Sequence, residues 1–428
     1  MKIVYLITGS GGSFYCGNCY RDMIYLRAIR KVPGTQASAI PLYLPPEDAE
    51  KETGFDNNVF FGAISMYLRE KVPFMRNMPA FMDKIFDSKP LLKMAAKRSG
   101  TTRTAGLEDM TLDMITGENA FPAKELQRLA DHLCKDGKPD IIHLSNALIL
   151  GLARQLRNLL DVKIVCSLLN EDDWINDMTE PYQSDAWRLI AEEAKYVDAF
   201  LTPSRYFRDL FIEKTGHKRN NIHVVPLVLD HYGLKDISKK ENWPAIGFFC
   251  RMNSHNGFDR IVDAFIELKE RNTLPQLRLE LSGGYTGDDK SFVNKQLKKI
   301  AKAGYSDSVT IHPDFAGFGK SDFFSRIDVM CVPVRKYDGY GLYILEANAA
   351  GVAVVQPATG AFPEIIENTG GGVTYRPDTI PALADALEKI LNDRQKLIEL
   401  GAKGREKVTR ELTLEKMSEG LSKVYNSI

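Results

Sequence analysis

Residues 328–357, DVMCVPVRKYDGYGLYILEANAAGVAVVQP, contain the pattern that decides the fold. An apolar run, DVMCVPV (328–334), precedes a glycine-containing turn, a short apolar helical stretch and a second apolar run, VAVVQP (352–357). Both runs are apolar on both faces, which is typical of strands buried inside a parallel sheet. The stretch therefore predicts two parallel strands joined by a helix.

The same unit recurs on both sides of this stretch. Apolar runs separated by helical segments form two series of six. The first series occupies 2–8, 37–43, 139–145, 162–168, 198–204 and 221–227, and the second occupies 244–250, 277–283, 308–313, 328–334, 352–357 and 371–376. Two such series predict two Rossmann-like, doubly wound α/β domains with parallel sheets.

A polar segment at 235–244 separates the two series. We predict an N-terminal domain over 1–237, a C-terminal domain over 243–410, and a last helix in 411–428 that packs back on the N-terminal domain. Helices are expected over 378–409 and 412–427.

A helical insertion at about 46–135 interrupts the strands of the N-terminal domain. It is rich in Phe, Met, Lys and Arg. Basic amphipathic helices lie on anionic bilayers, whereas helices inserted in an α/β domain also serve as lids. The insertion therefore fits a lid on its own domain or a surface for a lipid or membrane interface.

The overall composition is that of a globular protein without strong charge. The 428 residues include 56 Lys+Arg and 56 Asp+Glu, with 44% hydrophobic residues. This balance argues against a nucleic-acid partner. No apolar run reaches the roughly 18 residues that a spanning helix needs, and six Cys in this length do not make a disulfide scaffold. We expect a cytoplasmic protein, with peripheral contact at the inner face of the membrane left open.

The glycine-rich segment GSGGSFYCGNCYRD (9–22) follows the first strand and admits several functions. A dinucleotide fingerprint fails because Phe14 stands where the third glycine is required. Cys16 and Cys19 supply only two ligands for zinc, and redox chemistry has no other support in the chain. A loop that approaches a ligand with its backbone N–H groups, and a loop that only packs, both remain open.

The turn at 335–346 has the chemistry of a phosphate and sugar site. Asp338 and Glu346 are eight residues apart and flank the turn Gly339–Tyr340–Gly341. A glycine turn that enters a helix presents N–H donors and a positive dipole to a diphosphate. A carboxylate one or two turns later can accept hydrogen bonds from ribose hydroxyls. The alternative is a tight turn in which Asp338 only caps the helix.

These motifs resemble glycosyltransferase family 4, whose members have the two-Rossmann GT-B fold and retain the anomeric configuration. The resemblance rests on Asp338…Glu346 with GYGLYILEANAAGVAVV, and on further segments in the order typical of the family. These are DIIHLSN (140–146), LTPSRYFRDLF (201–211), IGFFCRMNSHNGFDRIVDAF (246–265), LELSGG (279–284) and GAFPEII (360–366). The segments GSGGSFYCGNCYRD, PLYLP and FFGAISMYLREKVP resemble a less characterised bacterial branch of the family.

The resemblance implies roles for the donor side. Glu346 would bind the ribose of a nucleotide sugar, Asp338 would contact the donor sugar, and Arg251 would hold the diphosphate and stabilise the leaving group. The other donor-binding residues that it implies are Gly11, Gly12, Asn256, Gly339, Gly341 and Leu342. Gly11 and Gly12 would face the donor across a central cleft between the two domains. Cys16, Cys19 and His143 are assigned to the acceptor side, with His143 in the core or the cleft wall.

The chain departs from the family pattern at three places. Asn256 stands where the family usually has a Lys, and Arg335 and Lys336 are candidate replacements for that cation. The first family Glu is Asp338 here. Where many members of the family have a His after the fourth strand, this chain has LLNEDDW (168–174). Glu171 or Asp172 would therefore orient the acceptor or act as a base, unless they only cap a helix.

The resemblance implies a hexosyltransferase that uses a UDP-, GDP- or ADP-sugar as substrate, with no cofactor, for glycan biosynthesis. No Asp-x-Asp triplet occurs in the chain, so we expect transfer without a metal ion. The acceptor would be a glycan or a lipid-linked hydroxyl compound. A non-catalytic nucleotide-sugar or glycan-binding protein, and an epimerase or hydrolase on the same fold, remain alternatives.

Overall fold

The computed structural model describes residues 1–8, 17–43, 104, 106–117, 123–230, 244–313, 318–335 and 339–428 of the chain. The chain divides into two compact units. The first unit contains most residues up to Pro226 together with Met417–Ile428, and the second contains Leu227–Lys416. The predicted boundary at 237–243 lies outside the described residues.

The first unit is built on a parallel sheet of six strands in the order β2-β1-β3-β4-β5-β6. The strands are β1 (Lys2–Ile7), β2 (Gln36–Pro41), β3 (Ile141–Leu144), β4 (Lys163–Ser167), β5 (Ala199–Thr202) and β6 (Ile222–Val224). All residues of β3 and β5 are buried, because helices cover both faces of the sheet. Each strand lies within one of the six predicted runs, except that β2 begins one residue earlier.

Helices connect these strands and cover the sheet. In the described part of the first unit they are α1 (Gly17–Arg30), α2 (Glu108–Thr116), α3 (Ala123–Leu133), α4 (Gly151–Leu160), α5 (Glu171–Asn176), α6 (Tyr182–Glu193) and α7 (Arg205–Thr215). Local signals set their ends: the Ser204 hydroxyl accepts a hydrogen bond from the Phe207 N–H, and Gly216 ends α7 in the left-handed conformation. Of the predicted insertion at 46–135, the described helices are α2 and α3.

The second unit repeats the plan with the strand order β12-β11-β10-β7-β8-β9, again parallel. The strands are β7 (Ala245–Phe249), β8 (Arg278–Ser282), β9 (Val309–Ile311), β10 (Val329–Met330), β11 (Ala353–Pro357) and β12 (Gly372–Tyr375). Phe248, Phe249, Phe258, Phe323 and Phe324 are fully buried in its core. The predicted class, α/β with two parallel sheets, is confirmed.

The described helices of the second unit continue the numbering. They are α8 (Phe258–Arg271), α9 (Lys290–Lys302), α10 (Phe318–Ser325), α11 (Leu342–Ala349), α12 (Phe362–Thr369), α13 (Ile380–Leu391) and α14 (Arg394–Glu411), followed by α15 (Leu414–Tyr425). The predicted helix over 378–409 is two helices, because the Asp393 carboxylate accepts the Lys396 N–H and begins a new helix there. In the described part of the chain, no helix has the length and apolarity needed to cross a bilayer.

The end of the chain belongs to the first unit. Tyr425, the last residue of α15, makes a hydrogen bond of 2.9 Å to Nδ1 of His143 in β3, and both side chains are buried. The last helix therefore contributes a polar contact to the centre of the first sheet.

Strand order in each sheet points to the place where a ligand binds. In the first sheet β1 lies between β2 and β3, and in the second sheet β7 lies between β8 and β10. The strand order therefore reverses its direction next to β1 and next to β7. Open α/β sheets bind ligands outside the carboxyl ends of the strands at this switch point. The residues that follow β1, β3, β7 and β10 are therefore the candidates.

Candidate functional site

Arg251 lies just after β7, at the switch point of the second sheet. It is 8% exposed, its Nε donates to Asp289 Oδ2 at 2.7 Å, and its Nη2 donates to Thr286 Oγ1 at 3.0 Å. Burial raises the pKa of the Asp289 carboxyl, but hydrogen bonds from Arg251 and Thr286 outweigh burial and hold that pKa below its usual value. The plane of the guanidinium is thus fixed by two partners.

Asn256 organises the loop that carries Arg251. Its Nδ2 donates to the carbonyl oxygen of Arg251 at 2.9 Å, and its N–H donates to Asn253 Oδ1 at 2.8 Å. The next residue, Gly257, has a φ of +72°, and a Cβ there would overlap the carbonyl oxygen of Pro333. Asn256 therefore supports the loop, at the position where the family usually has a cation.

Glu346 is held inside the second unit by a lysine that the sequence analysis missed. Its side chain is 1% exposed, and Oε1 lies 2.5 Å from Nζ of Lys320 in α10, a side chain that is 13% exposed. The same ammonium lies 5.7 Å from the ring centre of Phe249, two residues before Arg251. Lys320 thus brings a second cation to the edge of the sheet where Arg251 lies.

The glycine turn precedes the helix of Glu346 as predicted. Gly341 has a φ of +51°, and α11 begins at Leu342. Every residue of α11 is buried, so its backbone is positioned by packing on all sides. Gly339 belongs to the described residues, whereas Asp338 lies outside them.

Arg335 is engaged by the neighbouring helix. Its two terminal nitrogens lie 2.6 and 2.5 Å from the carboxylate oxygens of Asp259, and Nη1 also donates to the carbonyl of Ser254 at 2.7 Å. The other candidate replacement, Lys336, lies outside the described residues. Among the described cations at this edge, Lys320 rather than Arg335 contacts Glu346.

The first unit has a cavity of about 410 Å³ at the carboxyl ends of its strands. The residues that line it from the strand ends and α1 are Thr8, Arg21, Tyr43, Asn146, Leu148, Leu169, Asn170 and Glu171. The other lining residues are Leu107, which precedes α2, Met110, Thr111 and Met114 of α2, and Trp174. Trp174 is tied to α2, because its Nε1 donates to Thr111 Oγ1 at 3.1 Å.

Glu171 joins two of the loops that surround this cavity. Its Oε1 accepts the Ala147 N–H at 2.8 Å, and its Oε2 accepts the Leu169 N–H at 2.6 Å. Burial raises the pKa of this carboxyl. Glu171 is 2% exposed and Asp172 is 5% exposed, so α5 begins with two adjacent buried acidic residues.

His143 lies in a buried polar cluster of the first unit. It is 0% exposed, and its ring nitrogens bond to Ser167 Oγ at 2.8 Å and to the Tyr425 hydroxyl at 2.9 Å. Burial and the nearby charge of Arg21 lower the pKa of His143 to about 3. Such a histidine is neutral at physiological pH and serves the packing of the sheet.

This histidine makes the stability of the protein depend on pH. In the unfolded chain His143 returns to its ordinary pKa of 6.5, so between pH 6.5 and 3 the unfolded state binds more protons and stability falls as pH falls. Between pH 7.5 and 5.5 we expect the wild type to lose roughly 1.4 kcal/mol more unfolding free energy than His143→Gln. Urea unfolding of both proteins at the two pH values measures this; equal losses would contradict it.

The remaining acceptor-side and glycine predictions lie outside what the structure describes. Gly11, Gly12 and Cys16 fall in the undescribed stretch 9–16, and the side chain of Cys19 is likewise undescribed. Among the described residues, no three His, Cys, Asp or Glu side chains form a group that could hold a metal ion.

Comparison with known families covers most of the chain. The family model described as "Glycosyl transferases group 1" matches residues 234–407, and the model described as "Glycosyltransferase Family 4" matches residues 114–231. These matches include Arg251, Glu346 and the loop of Glu171.

Individual relatives are similar over part of their length. The lipopolysaccharide core biosynthesis mannosyltransferase LpsB of Rhizobium meliloti is 29% identical over 187 residues, 43% of this chain and 51% of that protein. A GDP-mannose-dependent α-(1-6)-phosphatidylinositol monomannoside mannosyltransferase of Mycobacterium tuberculosis is 28% identical over 173 residues, 39% of this chain and 43% of that protein. The chain spans about half the length of the curated relatives it matches.

Solved structures establish the fold. HepE of Anabaena, crystallised with UDP and glucose, matches with a TM-score of 0.68 and 15% identity over 100% of both chains. The GT-B fold predicted from the sequence is thereby confirmed.

Proposed function

Because the chain belongs to glycosyltransferase family 4, we propose that it moves a hexosyl group from a nucleotide sugar to the hydroxyl of a glycan or lipid-linked acceptor, with retention of anomeric configuration. The observation that carries this proposal is the pair Lys320–Glu346 near Phe249 and Arg251, at the switch point of the second sheet. A buried carboxylate and two cations at one sheet edge suit a ribose followed by a diphosphate.

Each donor group has a partner of suitable chemistry in the second unit. Glu346 would accept hydrogen bonds from ribose hydroxyls with its carboxylate, while Lys320 holds that carboxylate in place. Arg251, oriented by Asp289 and Thr286, would stabilise the negative charge that develops on the diphosphate as the bond to the sugar breaks. Asp338 would contact the donor sugar, as the resemblance implies.

Two protein cations reduce the need for a divalent metal at the diphosphate. Arg251 and Lys320, although each is paired with a carboxylate, can donate charged hydrogen bonds to diphosphate oxygens. We therefore propose transfer without a metal ion, so that an excess of EDTA leaves the rate unchanged. Turnover that requires an added divalent ion would overturn this part of the proposal.

The acceptor would bind at the strand ends of the first unit. Glu171 uses both carboxylate oxygens to hold the loops after β3 and β4, so we assign it the positioning of those loops. Asp172, its buried neighbour, would be the residue of the pair that orients the acceptor or acts as base. We place the reaction in the cytoplasm, with peripheral membrane contact for a lipid-linked acceptor.

A panel of UDP-, GDP- and ADP-sugars tests the donor. A donor at 100 times its Kd should add about 2.7 kcal/mol of unfolding free energy, measured as a rise in Tm. The name of the mycobacterial relative favours starting with GDP-mannose, and a structure of HepE with UDP-glucose favours testing that donor next. We expect one nucleotide class to raise Tm, and its diphosphate to be released only when an acceptor is present.

Other outcomes would replace the proposal. Free sugar released without an acceptor would favour a hydrolase. Binding of a donor without turnover over a range of acceptors would favour a nucleotide-sugar or glycan-binding protein. No rise in Tm with any nucleotide sugar would overturn the donor site in the second unit.

A further inference from the structure

The cavity of the first unit is lined by two kinds of surface. Leu107, Met110 and Met114 form an apolar wall along α2, which Trp174 extends. Asn146, Asn170 and Glu171 line it from the loops that follow β3 and β4. At about 410 Å³ the cavity is within the range of ligand pockets, which are mostly apolar with a few placed polar groups.

Two of the residues that line this cavity each have a buried polar atom without a hydrogen-bond partner among the described residues. These atoms are Nη1 of Arg21 and the hydroxyl of Tyr43. Arg21 is 2% exposed and bonds to Asp22 through Nε at 3.0 Å and Nη2 at 2.6 Å, which leaves Nη1 as its remaining terminal nitrogen. A buried donor without a partner is destabilising, so two such donors on residues that line one cavity call for an explanation.

The charges around these donors favour a neutral oxygen over a free anion. The carboxylate of Asp22 already accepts from Arg21 and from the Tyr5 hydroxyl, the latter at 2.8 Å. Arg21 and Asp22 therefore neutralise each other, and Glu171 adds an acidic group to the lining. An ether or hydroxyl oxygen can accept from Tyr43 and Arg21 without bringing a further negative charge to Glu171.

We propose that this cavity binds the hydrocarbon part of an amphipathic acceptor, with an oxygen next to that hydrocarbon accepting from Tyr43 and Arg21. This rests on the proposed function and specifies its acceptor as a compound with an alkyl or isoprenoid chain next to its sugar or polyol. The chain packs against Met110, Met114 and Trp174, and the polar head lies at the strand ends. The cavity volume limits the buried chain to a short segment.

A homologous series of probes tests the apolar wall. Butyl, hexyl and octyl β-D-glucopyranosides, each below its critical micelle concentration, are titrated into the full chain by calorimetry. We expect Kd to fall about fourfold for each added methylene, until the cavity is filled. A Kd that does not depend on chain length overturns the inference.

Two variants localise the binding. Tyr43→Phe removes a hydroxyl that has no described partner, so we expect unchanged or slightly higher stability together with a Kd that rises about two- to tenfold. Met110→Glu places a carboxylate in the apolar wall and should abolish the dependence on chain length. The matched controls are Tyr285→Phe and Leu159→Glu, at side chains that are 37% and 45% exposed and lie outside the cavity lining.

The probes contain no nucleotide, so this test is independent of the donor site. Chain-length dependence that Tyr43→Phe and Met110→Glu weaken supports the inference even if no nucleotide sugar binds. Unchanged binding in both variants overturns it, even if the donor site is verified.

Discussion

Replacing Arg251 with leucine is expected to lower the turnover number for glycosyl transfer by about 10²–10³-fold, while the protein stays folded. Arg251 is the buried cation that follows β7 at the switch point, and two hydrogen bonds set its orientation. Removing it leaves the charge on the departing diphosphate with one cation fewer. Folding should persist because Asp289 still accepts the N–H of Thr286 at 3.0 Å and its hydroxyl at 2.8 Å.

The control for this variant is Arg271→Leu, in the same unit. Arg271 is the last residue of α8, far along the helix from the loop of Arg251, and it pairs with Glu267, Asp385 and Glu388. Its loss should change the Tm but leave the turnover number within about twofold of the wild type. Steady-state release of nucleoside diphosphate measures the turnover number of the two variants. An equal fall in the two variants would show that Arg251 acts only through stability.

Replacing Lys320 with methionine is expected to lower the unfolding free energy by about 3–5 kcal/mol. The change leaves the carboxylate of Glu346, 1% exposed, without the ammonium that lies 2.5 Å away. Replacing both members of a buried pair with apolar residues avoids this cost, so Lys320→Met combined with Glu346→Leu should recover most of the stability. Urea unfolding of the two proteins measures the difference.

Nucleotide binding separates this structural contribution from the role in the donor site. Although its stability is restored, the double variant should bind nucleoside diphosphate about 10–100-fold more weakly than the wild type, because the ribose hydroxyls lose a charged acceptor. Glu346→Gln should show a similar loss. A 2′,3′-dideoxynucleotide should bind the wild type and Glu346→Gln almost equally. Together with the ribonucleotide it completes a double-mutant cycle that measures the contact between Glu346 and the ribose hydroxyls. If the variants discriminate against the dideoxynucleotide as strongly as the wild type, Glu346 does not bind the ribose.

The sequence by itself determined the two sheets and the order of their elements. A strand of a parallel sheet is buried on both faces, so β7 is a continuous apolar run, and β1 is one after Lys2. Such runs can be recognised in the sequence without knowledge of the tertiary structure. The helix of Glu346 was predictable from local signals, because Gly341 marks its start. Glu346 itself stood out as a carboxylate in an otherwise mostly apolar helix. The split at Asp393 was missed, because a capping aspartate resembles any other polar residue between two amphipathic stretches.

The partners of the buried polar groups were decided only by the tertiary structure. Lys320 precedes Glu346 by 26 residues and lies on another helix, and no local pattern links them. Arg335, closer in sequence to the acidic turn, is bound instead to Asp259 of α8. Tyr425 and His143 are 282 residues apart, and Arg21 and Tyr43 line one cavity only because α1 and the strand ends converge. The apolar runs of the sequence indicate which segments are buried. A polar contact instead depends on which side chains the packed elements bring within about 3 Å of each other.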